Sequence, residues 1–406
     1  MSPARRYLDF IIYWAIVLLP FSFAIAPGMT YAFIILMALA FISKKIITRE
    51  RLFIRTPIDL QLLLLIVAAL ISFKNSVDYR ASIQGVVKLL QNFFLLMICA
   101  EEIKDKKHIQ HIVFACACGV SLAAIDGLWQ VIFGKDFIRG REVIVNIGIR
   151  RATAAFPNSN ILGIYLSALA PLVIGTGLFF FKGLKKALLL VAGVLAILGI
   201  FLTFSRGTAL AVYLSLLSLG LMRKSRIMSW ALIGIILVCP FIMPQSIRNW
   251  AKEVNYNPLR FMLNDDRISA YKNAMNMIQH HPVVGVGVNT FSKNYLTYKL
   301  AEPDYAKTTD TMYAHNIYLH MAGETGLVGL GIFLWLLFVL FRDNFLTLGR
   351  LKDDYLKVAA ISISACLIAF LINGLTETSL YYARIAMIFW FLVGISLSFR
   401  RLAEAK

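Results

Sequence analysis

Of 406 residues, 59% are apolar and only 16% charged, and the mean hydropathy is +0.73. A soluble domain carries about one-quarter charged residues, so a soluble globular fold is excluded. The formal net charge of +19 is a question of membrane sidedness, and no nucleic-acid partner is expected.

Mostly apolar windows recur along the chain, each long enough to cross a hydrocarbon core of about 30 Å. In chain order they fall near 10–26, 29–43, 58–73, 81–100, 109–133 and 160–181, then near 187–204, 208–222, 228–243, 316–341, 358–373 and 380–399. The expected fold class is therefore all-α integral membrane. It has about twelve transmembrane helices, a single polytopic domain over 1–406, and a partly helical periplasmic loop, 244–315, between spans 9 and 10. The first run, preceded by Arg5 and Arg6, reads as a retained signal anchor. Cys99, Cys116, Cys118, Cys239 and Cys366 all fall inside predicted spans, where free cysteine behaves as a small apolar residue.

The loops alternate in charge. Those at 1–9, 44–57, 101–108, 182–186, 223–227, 342–357 and 400–406 hold 23 of the 41 Lys and Arg. The positive-inside rule assigns them, and both termini, to the cytoplasm. All other basic residues except Lys88 lie in or beside the opposite loops. The segment 134–159 holds Lys135, Arg139, Arg141, Arg150 and Arg151, and 244–315 holds Arg248, Lys252, Arg260, Arg267, Lys272, Lys293, Lys299 and Lys307. Cations kept there against the orientation bias point to an anionic ligand; solvated loop charge or contact with anionic membrane lipid is the plainer reading.

Within the large loop, Asp265-Asp266 is suited to cap a helix opening at Arg267. Ile268, Tyr271, Ala274, Met275 and Ile278 would form its apolar face. His281-Pro282 and Gly285-Val286-Gly287 should end it, and a second short helix is expected around 291–300.

Three places could carry chemistry. Thr203-Phe204-Ser205-Arg206-Gly207 joins two spans too closely for a real loop. It leaves Arg206 at a span end, where its guanidinium could grip two phosphate oxygens or merely snorkel to the interface. Arg267 at a helix start could form an anion site with the free amides, or be one solvated member of a capping cluster. His315 stands at the mouth of the tenth span; the positive helix end disfavours imidazolium and leaves a ring able to accept a proton. A lone interfacial histidine is more often a structural donor. His315 and His320 lack zinc-ligand spacing, and Gly323, Gly326 and Gly329 suit close helix packing. Glu324 lies about 180° around a helix from His315, too far to orient it.

His315-Asn316-Ile317-Tyr318-Leu319 with Glu324-Thr325-Gly326-Leu327-Val328-Gly329-Leu330 resembles the signature of the O-antigen ligase and polymerase superfamily. Phe204-Ser205-Arg206-Gly207, Arg267 to Ala274 leading into Pro282–Gly287, and the long loop before the tenth span resemble it too. The resemblance implies a periplasmic, inverting, metal-independent glycosyltransferase of the bacterial inner membrane, with no cofactor. Its donor would be an undecaprenyl-diphosphate-linked glycan, and in the ligase branch its acceptor a sugar hydroxyl of lipid A–core. It puts the catalytic histidine on His315 and the diphosphate-binding arginines on Arg206 and Arg267. Lys88, Arg150, Arg151 and Lys293 are further candidates for phosphate contact. Alternatives are a polymerase of the same superfamily, a lipid-monophosphate glycosyltransferase, and a transporter or flippase. The first opposite loop, Ala26-Pro27-Gly28, lacks the carboxylate expected of the monophosphate enzymes, and the scarcity of mid-span charge beyond Lys88 and Asp126 argues against transport.

Overall fold

The computed structural model describes residues 3–146, 148–242, 245–253, 255–257, 263, 265–300 and 313–404. Each of the twelve predicted spans corresponds to a helix. In order these are α1 (Pro3–Ile25), α2 (Pro27–Thr48), α3 (Asp59–Ile71), α4 (Tyr79–Glu102), α5 (Lys106–Phe133), α6 (Ser159–Phe179), α7 (Gly183–Leu202), α8 (Arg206–Met222) and α9 (Arg226–Ile242). After two loop helices, α10 (Gln245–Glu253) and α11 (Asp265–His280), and the single turn α12 (Phe291–Asn294), come α13 (Ile317–Arg350), α14 (Asp354–Asn373) and α15 (Ala383–Glu404). Among the described residues, nine of these helices are long and apolar enough to cross a membrane. The shorter three of the twelve are α3, α8 and α9. The chain is thus an all-α, multi-pass membrane protein.

The packing is that of a bundle in lipid. On α7 the large residues Leu184, Leu188, Val191, Val194, Leu198 and Phe201 recur every three or four positions and are exposed. Its buried face is small through the middle, at Ala192, Gly193, Ala196 and Gly199, with Leu189 and Ile200 on either side. Small residues inside let helices approach where lipid removes the usual drive to bury large ones. A Cβ on Gly199 would meet Leu166 and Ala124 of its neighbours. At the centre, α6, α14 and α15 are buried along most of their length.

The two ends of the bundle differ. At one, Lys44 bonds both carboxylate oxygens of Glu102 at 2.7 Å and reaches Asp9 at 2.6 Å, while Lys45 pairs with Glu101. Burying these charges is tolerable because each lysine has an acid partner. The other end holds the α7–α8 junction, the loop helices and the 374–382 segment that joins α14 to α15. A two-stranded hairpin, β1 (Ile144–Asn146) and β2 (Ile149–Arg151), pairs Ile144 with Arg151 at this end. The sequence pattern contains no sign of it.

Four expectations need correction. Helix α1 starts at Pro3 and α13 runs on to Arg350, so the loops 1–9 and 342–357 are mostly helix. The loop helix opens at Asp265, not Arg267. Its buried stripe is Ala270, Asn273, Ala274, Met277 and Ile278, whereas Met275 is exposed. The second loop helix is one turn, Phe291–Asn294. Arg260 and Lys307 lie outside the described residues.

Gly326 breaks α13, with φ +71° and ψ 179°. The segment Pro282–Gly287 lies along the break. The carbonyls of Gly323 and Glu324 accept the amides of Val286 at 2.9 Å and Gly287 at 3.0 Å, and Leu327 N–H donates to the Pro282 carbonyl at 2.8 Å. A broken helix at membrane depth persists only where its freed polar groups find partners; here the loop supplies them. A Cβ on Gly326 would strike the Val283 backbone, and one on Gly285 the Glu324 backbone. Close approach is thus the role of Gly326, as the sequence suggested, but the element approaching is the loop and not another span.

Candidate active site

Helix α8 begins at Arg206, directly after Phe204 and Ser205. Phe204 is left-handed at φ +50°, which turns the chain sharply from α7 into α8. Gly207 follows because a Cβ there would meet the Thr376 side chain, so the 374–378 segment crosses over the start of α8.

His315 also sits in the left-handed region, at φ +46°. A non-glycine residue held there costs on the order of 1–3 kcal/mol and persists only when its surroundings fix it. The fixing groups are present. Asn316 caps α13, accepting from Tyr318 N–H at 2.9 Å and Leu319 N–H at 3.0 Å. Ile317 N–H donates to the Gly374 carbonyl at 2.8 Å. Tyr271 O–H donates to the His315 carbonyl at 3.3 Å and also bonds the Leu375 carbonyl.

What joins the parts is Glu377, a residue the sequence reading missed. Its carboxylate is nearly fully buried, with a side chain 5% exposed. One oxygen faces His315 Nδ1 at 3.3 Å. The other pairs with Arg267 and accepts from Asn160 Nδ2 at 2.5 Å. Asn160 in turn accepts from Arg151 Nη2 at 3.2 Å, and Arg151 Nε donates to the Thr203 carbonyl at 2.9 Å. Helix α11 presents Arg267 and Tyr271, one turn apart, to the same short segment.

Burial by itself would raise the Glu377 carboxyl. The hydrogen bond from His315 and the Arg267 guanidinium outweigh it and hold Glu377 below the usual glutamate range. Burial, with repulsion from Arg267, lowers Arg151, and Glu377 offsets part of this. Arg206 lies within electrostatic reach of both Arg267 and Arg151. Three guanidiniums from β2, α8 and α11 therefore converge on one partly buried spot. Burial also raises the Tyr271 phenol, keeping it a neutral donor.

The structure thus brings Arg206, Arg267, His315 and Arg151 together. It does not bring the other candidates there. Arg150 is exposed and donates to the Val131 carbonyl at 2.9 Å. Lys293 is exposed and pairs with Asp78 at the start of α4. Lys88 faces a separate cavity, 3.4 Å from Asn289 Oδ1. Glu324 stands near His320, at 3.3 Å, and hydrogen-bonds Phe291 N–H at 3.2 Å.

The arrangement has definite chemical capacity. A carboxylate only accepts, so Nδ1 of His315 carries a proton toward Glu377, and in the neutral form of such a ring Nε2 is the acceptor. A base oriented in this way, beside clustered guanidiniums, suits attack by a hydroxyl as an anionic group departs.

No curated protein matches the chain. Residues 191–334 match the family model described as O-antigen ligase, a stretch that contains Arg206, Arg267 and His315 and leaves Arg151 and Glu377 outside. Over that segment the chain is similar to the O-antigen ligase family.

Proposed function

We propose that the protein is an O-antigen ligase. It would transfer glycan from undecaprenyl diphosphate to a sugar hydroxyl of lipid A–core on the periplasmic side of the inner membrane. The observation that carries this reading is the pairing of His315 and Arg267 with Glu377, with Arg151 and Arg206 within electrostatic reach of Arg267.

In the proposed mechanism the donor's lipid tail enters between spans. Its diphosphate is held by Arg206 and Arg267, with Arg151 beside them. The planar guanidinium matches two phosphate oxygens at once. Nε2 of His315 takes the proton from the acceptor hydroxyl as that oxygen attacks the anomeric carbon, inverting it. The anomeric C–O bond breaks, and its electron pair leaves on the diphosphate. Negative charge grows there in the transition state, where fixed cations stabilise it most. General-base assistance of this kind contributes roughly 10²–10⁴-fold. Glu377 holds the imidazole tautomer and ties the base to a donor-binding arginine.

The test is transfer by purified protein, offering lipid A–core and, separately, a second glycan-diphosphate lipid as acceptor. Transfer to lipid A–core is the expected result. Transfer only to the second lipid would make the protein a polymerase of the same superfamily.

A further inference from the structure

A cavity of about 150 Å³ reaches Thr378, the residue after Glu377. Its walls come from α3, α4, the start of α13, residues 288–289 and the turn at 378–381, and it is lined by none of the five clustered residues. Its lining is mostly apolar, with the rings of Tyr381, Trp390 and Phe333 among it.

The cavity also collects polar atoms without partners. Both ring nitrogens of His320, Oδ1 of Asn92 and Oγ1 of Thr378 are buried with no hydrogen bond among the described residues. These residues are 6%, 9% and 2% exposed. The 3.3 Å approach of Glu324 to His320 Nε2 lacks hydrogen-bond geometry. Buried polar groups left so are costly, and each calls for a partner.

The unmet needs define the partner. A neutral imidazole wants one donor and one acceptor, the Asn92 carbonyl wants a donor, and a threonine hydroxyl takes either. A hydrocarbon chain would satisfy none of them. A phosphate would meet Lys88 on one wall but the Glu324 carboxylate on another, and it has little to donate to Asn92 Oδ1. Hydroxyls satisfy all of them, and a ring bearing hydroxyls on its edge and C–H groups on its faces also suits the aromatic lining. The volume fits one six-membered ring, since an apolar cavity of about this size admits benzene. Thr378 directly follows Glu377, so a ring seated here abuts the His315–Glu377 pair.

We infer that this cavity is a saccharide subsite that seats one pyranose ring of the acceptor glycan, with His320, Asn92 and Thr378 as specificity-determining contacts. The assignment to the acceptor rests on the proposed function, in which the donor's diphosphate takes the arginines and none of them lines this cavity.

The test is equilibrium binding, without donor or turnover, of two soluble probes to the purified full chain. One is core oligosaccharide freed of lipid A, and the other is the glycan repeat freed of its diphosphate lipid. Thr378→Val and Asn92→Leu remove polar atoms at nearly constant shape, and Gly331→Ala, whose Cβ meets nothing within 4 Å, serves as comparison. The core oligosaccharide should bind wild type and Gly331→Ala alike, and each cavity variant at least tenfold more weakly. If only the repeat binds, with the same sensitivity, the subsite stands and lipid A–core falls as the acceptor. If neither probe binds, or the variants bind as wild type does, the cavity holds ordered water or a lipid chain and the inference is wrong.

Discussion

Nδ1 of His315 lies 3.3 Å from a Glu377 oxygen, although the two residues are 62 positions apart in the chain. The same carboxylate pairs with Arg267. One buried acid therefore touches both the residue proposed to take the proton and a residue proposed to hold the leaving group.

Glu377→Gln keeps the shape and removes the charge. Loss of an acid that orients a functional histidine typically costs about 10–100-fold, and a loss of that size in transfer rate is expected, with Glu377→Asp recovering part. The stability of the fold should respond as well. The folded carboxyl lies below its ordinary 4.5, so its stabilising contribution is fully present above that value and is lost as pH falls through the lower, folded value. Melting temperature in detergent, followed from pH 6 downward, should fall more steeply for wild type than for Glu377→Gln. Parallel curves would show that the acid contributes no linkage.

His315→Ala and His315→Gln should both abolish transfer, by about 10²-fold or more, while the protein inserts, folds and binds donor. Glutamine can hydrogen-bond but cannot accept a proton near neutrality. Single-turnover transfer with saturating donor is the measurement. An active His315→Gln protein would leave the histidine a positioning role only.

Arg206→Ala, Arg267→Ala and Arg151→Ala should each raise the donor KM, and lysine should restore only part of the loss, because a point charge lacks the planar fork. Lys293→Ala should stay within about twofold of wild type, since Lys293 pairs with Asp78 away from the cluster and exposed pairs contribute little. If Arg206→Lys behaves as wild type, the bidentate argument fails.

Gly326→Ala should destabilise the protein by at least about 1–3 kcal/mol. The residue is left-handed, and its Cβ would strike the Val283 backbone. Gly331→Ala, five residues along the same helix, meets nothing within 4 Å and should be neutral. Thermal melts of the two variants side by side decide it.

Sidedness is checked by single cysteines. Those placed in 44–57, 182–186 and 223–227 should resist a membrane-impermeant thiol reagent in intact cells, and one at Asn257 should react. The reverse pattern would put the arginine cluster in the cytoplasm.

Hydropathy made the helices legible, because a span in lipid must satisfy its backbone internally whatever its neighbours are. Arg206 and His315 stood out as a cation and an imidazole at span ends and Arg267 as a cation at the start of a loop helix, and the family resemblance singled out all three. Glu377 was not legible. It is a single acid among small polar residues in a nine-residue connection, and its meaning lies entirely in three long-range contacts. Arg151 was named among the further candidates for phosphate contact, but nothing local distinguished it from Arg150, its neighbour, which points away. Met275 was assigned to the buried face because it is apolar, while Asn273 is buried through its bonds to Tyr295 O–H at 2.9 Å and Leu300 N–H at 2.9 Å. The break at Gly326 was hidden because glycines at three-residue spacing read equally well as a packing stripe.

The pairing of Pro282–Gly287 with the broken helix sets an order of assembly. Residues 282–287 leave the ribosome before the helix they pair with, and Glu377 emerges later still. The loop cannot dock until α13 has been inserted, and the base cannot be oriented until the connection beyond α14 has followed. A nascent chain stopped short of the last two spans would be lodged in the membrane without the His315–Glu377 contact, so the cluster is whole only when synthesis is almost complete.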